Sequence, residues 1–226
     1  MHVRAPMNTA SGPRQPPALD LSLYLVTDTA LCGAHGVART VAEAVAAGVT
    51  LVQLRDPACS DADFVALGRA LVEVLAGPGV PLIVNDRVHL LDPIGAAGVH
   101  VGQGDLAAAE VRRRIGPARW LGLSVQTRAH LAAAGQFPPG VLDYLGVGPV
   151  WAQQTKPDAA PAGGLAVLAE IVRHSPWPCV AIGGIDAARA AEVRQTGAAG
   201  VAVVSAICGQ PDVAAATRRL RDAWIG

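Results

Sequence analysis

Asp86 and Asp105 each stand just past a short apolar run, in Val84-Asn85-Asp86 and in His100-Val101-Gly102-Gln103-Gly104-Asp105. Carboxylates delivered from two neighbouring strand ends can hold Mg²⁺, a hard ion that keeps waters and usually bridges to substrate phosphates. Taken singly, either aspartate reads as a helix N-cap. Arg55, Asn85 and Lys156 lie at comparable places, so the set suits a diphosphate neutralised by metal and cations together. Lys156 is the only lysine among 18 lysines and arginines. Its compact ammonium and an arginine fork are not interchangeable at a phosphate.

A second anion site is written into the last third of the chain. Gly183-Gly184 ends one apolar run and Val204-Ser205 ends the next. Glycine lets backbone N–H groups approach a ligand with no Cβ in the way, and paired turns of this kind form phosphate cradles in barrels. One metal–diphosphate site and one phosphate cradle imply two phosphorylated small-molecule substrates and transfer of a group from a diphosphate donor.

These residues need a frame that aims them at one place. The chain has 226 residues, 51% of them hydrophobic, and a formal net charge of +0. Zero net charge argues against a nucleic-acid surface, and Arg112-Arg113-Arg114 reads as a solvated helix face. No apolar stretch approaches a membrane span. Cys32, Cys59, Cys179 and Cys208 are scattered, with no paired spacing, which excludes a zinc or disulfide framework and points to a reducing cytoplasm. Residues 1–19 carry four prolines and few large apolar groups, so they read as a disordered leader ahead of one catalytic domain at 20–226.

From Leu21 onward, short apolar runs alternate with Ala-rich helical stretches. Strands are expected at Leu21–Thr27, Thr50–Arg55, Pro81–Asn85, Gly98–Val101, Trp120–Ser124, Leu142–Val147, Cys179–Ile182 and Gly200–Val204. Their nearly continuous apolar character suits strands buried on both faces of a parallel sheet. Ser60 followed by Asp63 starts a helix at Asp61–Leu75. Ala46-Ala47-Gly48-Val49, Ala96-Ala97-Gly98-Val99 and Ala198-Ala199-Gly200-Val201 repeat one phrase, read as helix-closing glycines before strands. The first strand is followed by no Gly-rich dinucleotide turn, so the expected class is α/β, a single (β/α)8 TIM barrel. In such barrels the active groups stand at the C-terminal strand ends, where Gln53, Arg55, Asn85, Ser124 and Ser205 fall. His100 lies within a strand as either a hydrogen-bonded core histidine or a participant. Trp151 stands in the Lys156 loop, where its ring is placed to cover a ring-shaped substrate.

In order along the chain, Leu23-Tyr24-Leu25-Val26-Thr27-Asp28, Gln53-Leu54-Arg55-Asp56, Asn85-Asp86, Gly102-Gln103-Gly104-Asp105, Gly122-Leu123-Ser124, Gly148-Pro149-Val150 with Thr155-Lys156, Gly183-Gly184-Ile185 and Val204-Ser205-Ala206-Ile207 resemble the thiamine phosphate synthase family. The likeness runs from about Leu21 to Ile207. It implies a Mg²⁺-dependent transferase of a pyrimidinylmethyl group, of the diphosphorylase type, joining an amino-substituted hydroxymethylpyrimidine diphosphate to a thiazole phosphate and releasing pyrophosphate. By that resemblance Gln53, Arg55, Asn85, Ser124 and Lys156 bind the pyrimidine diphosphate, with Arg55, Lys156 and Ser124 carrying the chemistry. Asp86 and Asp105 hold Mg²⁺, and Gln153, Thr155, Gly184, Val204 and Ser205 hold the thiazole phosphate. The implied mechanism is dissociative. Two positions depart from the pattern: Pro57 stands where many members carry a lysine, and Gln153 where many carry a threonine. The alternatives are a thiazole tautomerase paralogue and a non-catalytic barrel that binds a phosphorylated ligand. Monomer and homo-oligomer both stay open.

Overall fold

A computed structural model describes residues 19–153, 155 and 160–226. Residues 1–18 of the expected leader lie outside the described residues, as does Lys156. Eight strands follow in order: β1 (Leu23–Val26), β2 (Leu51–Leu54), β3 (Leu82–Asn85), β4 (Gly98–Val101), β5 (Trp120–Val125), β6 (Tyr144–Val147), β7 (Cys179–Ile182) and β8 (Gly200–Val203). Each pairs in parallel with the next, and β8 closes on β1 with Val203 opposite Leu25. The fold is the expected (β/α)8 barrel.

The helices among the described residues are α1 (Thr29–Cys32), α2 (Val37–Ala46), α3 (Asp61–Ala76), α4 (Leu91–Ile94), α5 (Ala108–Ile115), α6 (Arg128–Ala134), α7 (Gly164–His174), α8 (Ala187–Gln195) and α9 (Val213–Ile225). The start of α3 is built as its sequence predicts: Ser60 Oγ accepts from the Asp63 N–H at 3.1 Å, and Phe64, Leu71 and Leu75 turn inward. Asp61 and Asp63 in the first turn complement the positive end of the helix dipole. None of these helices is long and apolar enough to cross a membrane.

Period-2 alternation divides the buried side chains into two layers. Leu23, Leu25, Val52, Leu54, Val84, Val99 and Val201 face outward into the large core between strands and helices. Tyr24, Val26, Leu51, Ile83, Tyr144, Val180 and Ala202 fill the barrel interior. The interior layer is small, so a few polar side chains placed in it have a large say in its shape.

Of the three Ala-Ala-Gly-Val phrases, the first has its glycine just past the end of α2 with positive φ (Gly48, φ 120), whereas the other two work differently from helix caps. Gly98 and Gly200 are the first residues of β4 and β8. A Cβ at Gly98 would run into the carbonyl of Trp120, and one at Gly200 into the carbonyl of Leu21. The glycines therefore permit close strand approach, and the left-handed turns fall three residues earlier at Gly95 (φ 80) and Gly197 (φ 82). The arginine triplet is corrected likewise. Arg113 and Arg114 pair with Glu110 on the exposed face of α5. Arg112 turns inward to Asp143 at 2.6 Å and donates to the carbonyls of Val141, Gly116 and Arg119.

Candidate active site

A cavity of about 160 Å³ opens at the C-terminal ends of the strands. It brings together Gln53, Arg55, Asn85, Ser124, Gln153, Thr155, Gly184, Val204 and Ser205, every described residue expected to bind one of the two substrates. Val26, Val180, Ile182, Ile185 and Ala202 supply apolar wall between them. Asp86 and Asp105 do not line the cavity. Asp86 follows the lining residue Asn85 directly, and Asp105 is tied to the end of β4 by the Gly102 N–H at 2.7 Å.

Arg55 is the only charged residue among the described lining. Its backbone is fixed by the buried Thr27, whose Oγ1 accepts from the Arg55 N–H at 3.0 Å and donates to the Arg55 carbonyl at 3.3 Å. The guanidinium reaches across the mouth to the carbonyl of Thr155 at 3.5 Å. The loop that follows is held by Arg87, which donates to the carbonyls of Asp56 and Cys59 and pairs with Asp61 at 2.9 Å. The Arg87 guanidinium also lies over the Phe64 ring at 4.6 Å. Pro57 is an exposed member of this pinned loop and supplies no charge.

Asp86 has φ 57, the one left-handed conformation at a described non-glycine residue. Its N–H donates to the His100 carbonyl at 2.9 Å, and Asn85 Nδ2 donates to its Oδ1 at 2.7 Å. These bonds set the carboxylate beside the end of β4, near the Asp105 turn. No group of three or more His, Cys, Asp and Glu suited to a metal occurs among the described residues. Two carboxylates with hard oxygen donors still fit Mg²⁺, which takes its remaining ligands from water and substrate.

Across the mouth, at the ends of β7 and β8, lie the turns expected to form the second anion site. Gly183 and Gly184 have φ 103 and 66 and lie against the β6–α7 loop, where Trp151 N–H donates to the Gly183 carbonyl at 3.0 Å. Val204 and Ser205 begin a helical turn in which the Ile207 and Cys208 N–H groups both return to the Val204 carbonyl. Trp151 does not cover the cavity: its ring stacks with the Arg189 guanidinium at 4.9 Å, behind Gly184. A Cβ at Gly184 would sit 2.8 Å from Trp151 Cβ and 2.9 Å from the Ala152 carbonyl oxygen. Gly184→Ala is expected to raise KM for the phosphorylated acceptor about tenfold, for roughly 1.4 kcal/mol of misplacement. Steady-state kinetics with each substrate varied in turn check this, and an unchanged KM would place the phosphate elsewhere.

The floor of the cavity holds two tyrosines that sequence reasoning passed over, together with His100. Tyr24 and Tyr144 are fully buried and meet hydroxyl to hydroxyl at 3.0 Å. Burial is the largest cause pushing both phenols well above their ordinary pKa, so they stay protonated. His100 lies between Tyr144 and Ser124, and Gln126 adds an amide at the end of β5. Strand tyrosines read as core from sequence. The available signal was glycine within strands, Gly122 and Gly146, which marks close approach.

The model of the family described as thiamine monophosphate synthase matches residues 23–207. A thiamine-phosphate synthase of Azorhizobium caulinodans is 48% identical over 206 residues, covering 91% of this chain and 96% of its own. One of a Psychrobacter species is 47% identical over 192 residues, covering 85% and 90%. Among solved structures, a thiamine phosphate pyrophosphorylase from Pyrococcus furiosus superposes with a TM-score of 0.82 at 32% identity, covering 92% of this chain and 97% of its own.

Proposed function

The chain belongs to the thiamine monophosphate synthase family, and we propose that its barrel mouth joins a hydroxymethylpyrimidine diphosphate to a thiazole phosphate, releasing pyrophosphate. It is a transferase of thiamine biosynthesis. The observation that supports this reading is that the described residues expected to bind the two substrates line one cavity at the strand ends, with Arg55 the charged residue of its described lining.

In this reading Gln53, Asn85 and Ser124 bind and orient the pyrimidine, while Arg55 binds the diphosphate. Lys156, placed by sequence two residues after Gln154 in the same loop, is assigned to the diphosphate on the family pattern. The bond from the pyrimidine methylene carbon to oxygen breaks, its electron pair leaving with the diphosphate. The thiazole nitrogen lone pair then forms the new carbon–nitrogen bond. Gly184, Val204 and Ser205 hold the thiazole phosphate so that this nitrogen faces the cation, and the valine and isoleucine wall keeps water from capturing it. Asp86 and Asp105 are the residues that would hold Mg²⁺. The ion supplies charge neutralisation to the leaving diphosphate. No strong protein base is needed, because the thiazole nitrogen reacts through its own lone pair.

Pyrophosphate release is expected only with both substrates and Mg²⁺ present, and a chelator should abolish it. A coupled phosphate assay with each component omitted in turn checks this. Binding of thiazole phosphate with no pyrophosphate formed would sink the synthase reading and leave a phosphate-binding barrel.

A further inference from the structure

Five side chains from five strands make an unbroken hydrogen-bonded chain across the cavity floor. Gln53 Nε2 donates to Tyr24 Oη at 2.7 Å, and Tyr24 Oη meets Tyr144 Oη at 3.0 Å. Tyr144 Oη meets His100 Nδ1 at 3.1 Å, and His100 Nε2 meets Ser124 Oγ at 3.0 Å. Room for the middle of the chain comes from two glycines. A Cβ at Gly122 would collide with the His100 and Tyr144 rings, and one at Gly146 would sit 2.9 Å from His100 Cε1.

Each hydroxyl has one proton, and a neutral imidazole has one N–H. The sense of any one link therefore sets the sense of all the others. Because Gln53 donates to Tyr24, Tyr24 must give its proton to Tyr144, and Tyr144 must give its own to His100 Nδ1. The imidazole proton then sits on Nε2 and points at Ser124 Oγ. That leaves the Ser124 proton for a ligand, while Gln53 has its Oε1 to offer as acceptor. Turning the Gln53 amide over reverses every link, and Ser124 would then present only lone pairs.

We propose that Tyr144 and His100 are positioning residues that couple the polarity of Gln53 to that of Ser124, making the pocket selective for a ring that offers a donor to one and an acceptor to the other. The ligand in this statement rests on the aminopyrimidine reading above, whereas the coupling belongs to the protein alone. An aminopyrimidine carries an exocyclic N–H donor beside an acceptor ring nitrogen. Its oxo counterpart carries the opposite pair and can be matched only by reversing the whole chain. The chain thus discriminates amino from oxo rings at two contacts with one decision. The buried phenols stay un-ionised, so neither end can be satisfied by loss of a phenolic proton midway.

The test reads the His100 tautomer without substrate, by long-range proton–nitrogen NMR on histidine-labelled protein, the signal being assigned by its loss in His100→Gln. The wild-type proton is expected on Nε2. In Gln53→Glu the ionised carboxylate only accepts, so the proton should move to Nδ1 as that carboxyl titrates. Adding Tyr144→Phe, which keeps the ring and its packing, should cut this response. A wild-type proton on Nδ1 overturns the assigned sense and with it the preference for an amino ring, while a proton that stays on Nε2 in Gln53→Glu up to the alkaline limit of stability, or a response that survives Tyr144→Phe, overturns the coupling. With substrates, Tyr144→Phe should raise KM for the pyrimidine diphosphate about tenfold and leave KM for the thiazole phosphate unchanged. Inactivity of the wild-type enzyme toward both substrates would instead fail the synthase reading, and the tautomer result would stand apart from it.

Discussion

Arg55→Met is expected to lower kcat/KM by about 100- to 1,000-fold, the range found when one preorganised charge-stabilising donor is removed from a reacting site. Most of the loss should appear in kcat. Charge builds on the diphosphate only as the carbon–oxygen bond breaks, so an interaction that strengthens with that charge acts on the transition state more than on binding. Position 57 enlarges the effect, because Pro57 leaves Arg55 as the charged side chain the second strand delivers to the described lining. The fold should survive. Among the described residues the guanidinium makes one bond, of 3.5 Å to Thr155, and the backbone of Arg55 is fixed through Thr27 whatever side chain stands there. Arg55→Lys separates charge from shape: a lysine restores the point charge without the fork, so partial recovery is expected. Single-turnover measurements check both variants. Full activity in Arg55→Met would move the diphosphate away from this strand end.

Asp86→Asn is expected to cut kcat by roughly 100-fold and to weaken the dependence on Mg²⁺. Its thermal midpoint should stay within about 2 °C of wild type. The backbone at position 86 has φ 57, a conformation that asparagine adopts as readily as aspartate. The carbonyl oxygen of the new amide can still accept from Asn85, which now bonds Asp86 Oδ1 at 2.7 Å. Little but the negative charge is removed. Titrating Mg²⁺ against rate, alongside a melting curve, separates the two roles. A large drop in midpoint with the metal response intact would make Asp86 a turn residue and nothing more.

The parts of this molecule that were legible in its sequence are those set by local rules. The eight apolar runs became eight strands because β-branched, two-face-buried segments have few other stable arrangements. The Ser60 cap held because a side-chain oxygen three residues before Asp63 has an obvious donor to meet. The strand-end polar residues were legible as a group, since a barrel sends all such ends to one rim. What stayed hidden depends on partners far apart in the chain. Tyr24 and Tyr144 bond across 120 positions, and neither residue differs in sequence from an ordinary core tyrosine. Arg112 looks like its two neighbours until Asp143 is brought to it by the pairing of β5 with β6. Gly98 and Gly200 were misread for a related reason: their close neighbours are the carbonyls of Trp120 and Leu21, brought near only by the pairing of β4 with β5 and of β8 with β1.

The Arg112 clamp draws its partners from Gly116, Arg119, Val141 and Asp143, all before the start of β5 or β6. It therefore sits at the far end of the barrel from the cavity. The Arg112 cluster and the cavity thus stand at opposite poles of one small molecule. A lineage under pressure to withstand heat can rework the lower rim, and one under pressure to accept a different ring can rework the upper, each with little interference from the other. The tyrosine–histidine floor is the layer where the two kinds of change meet.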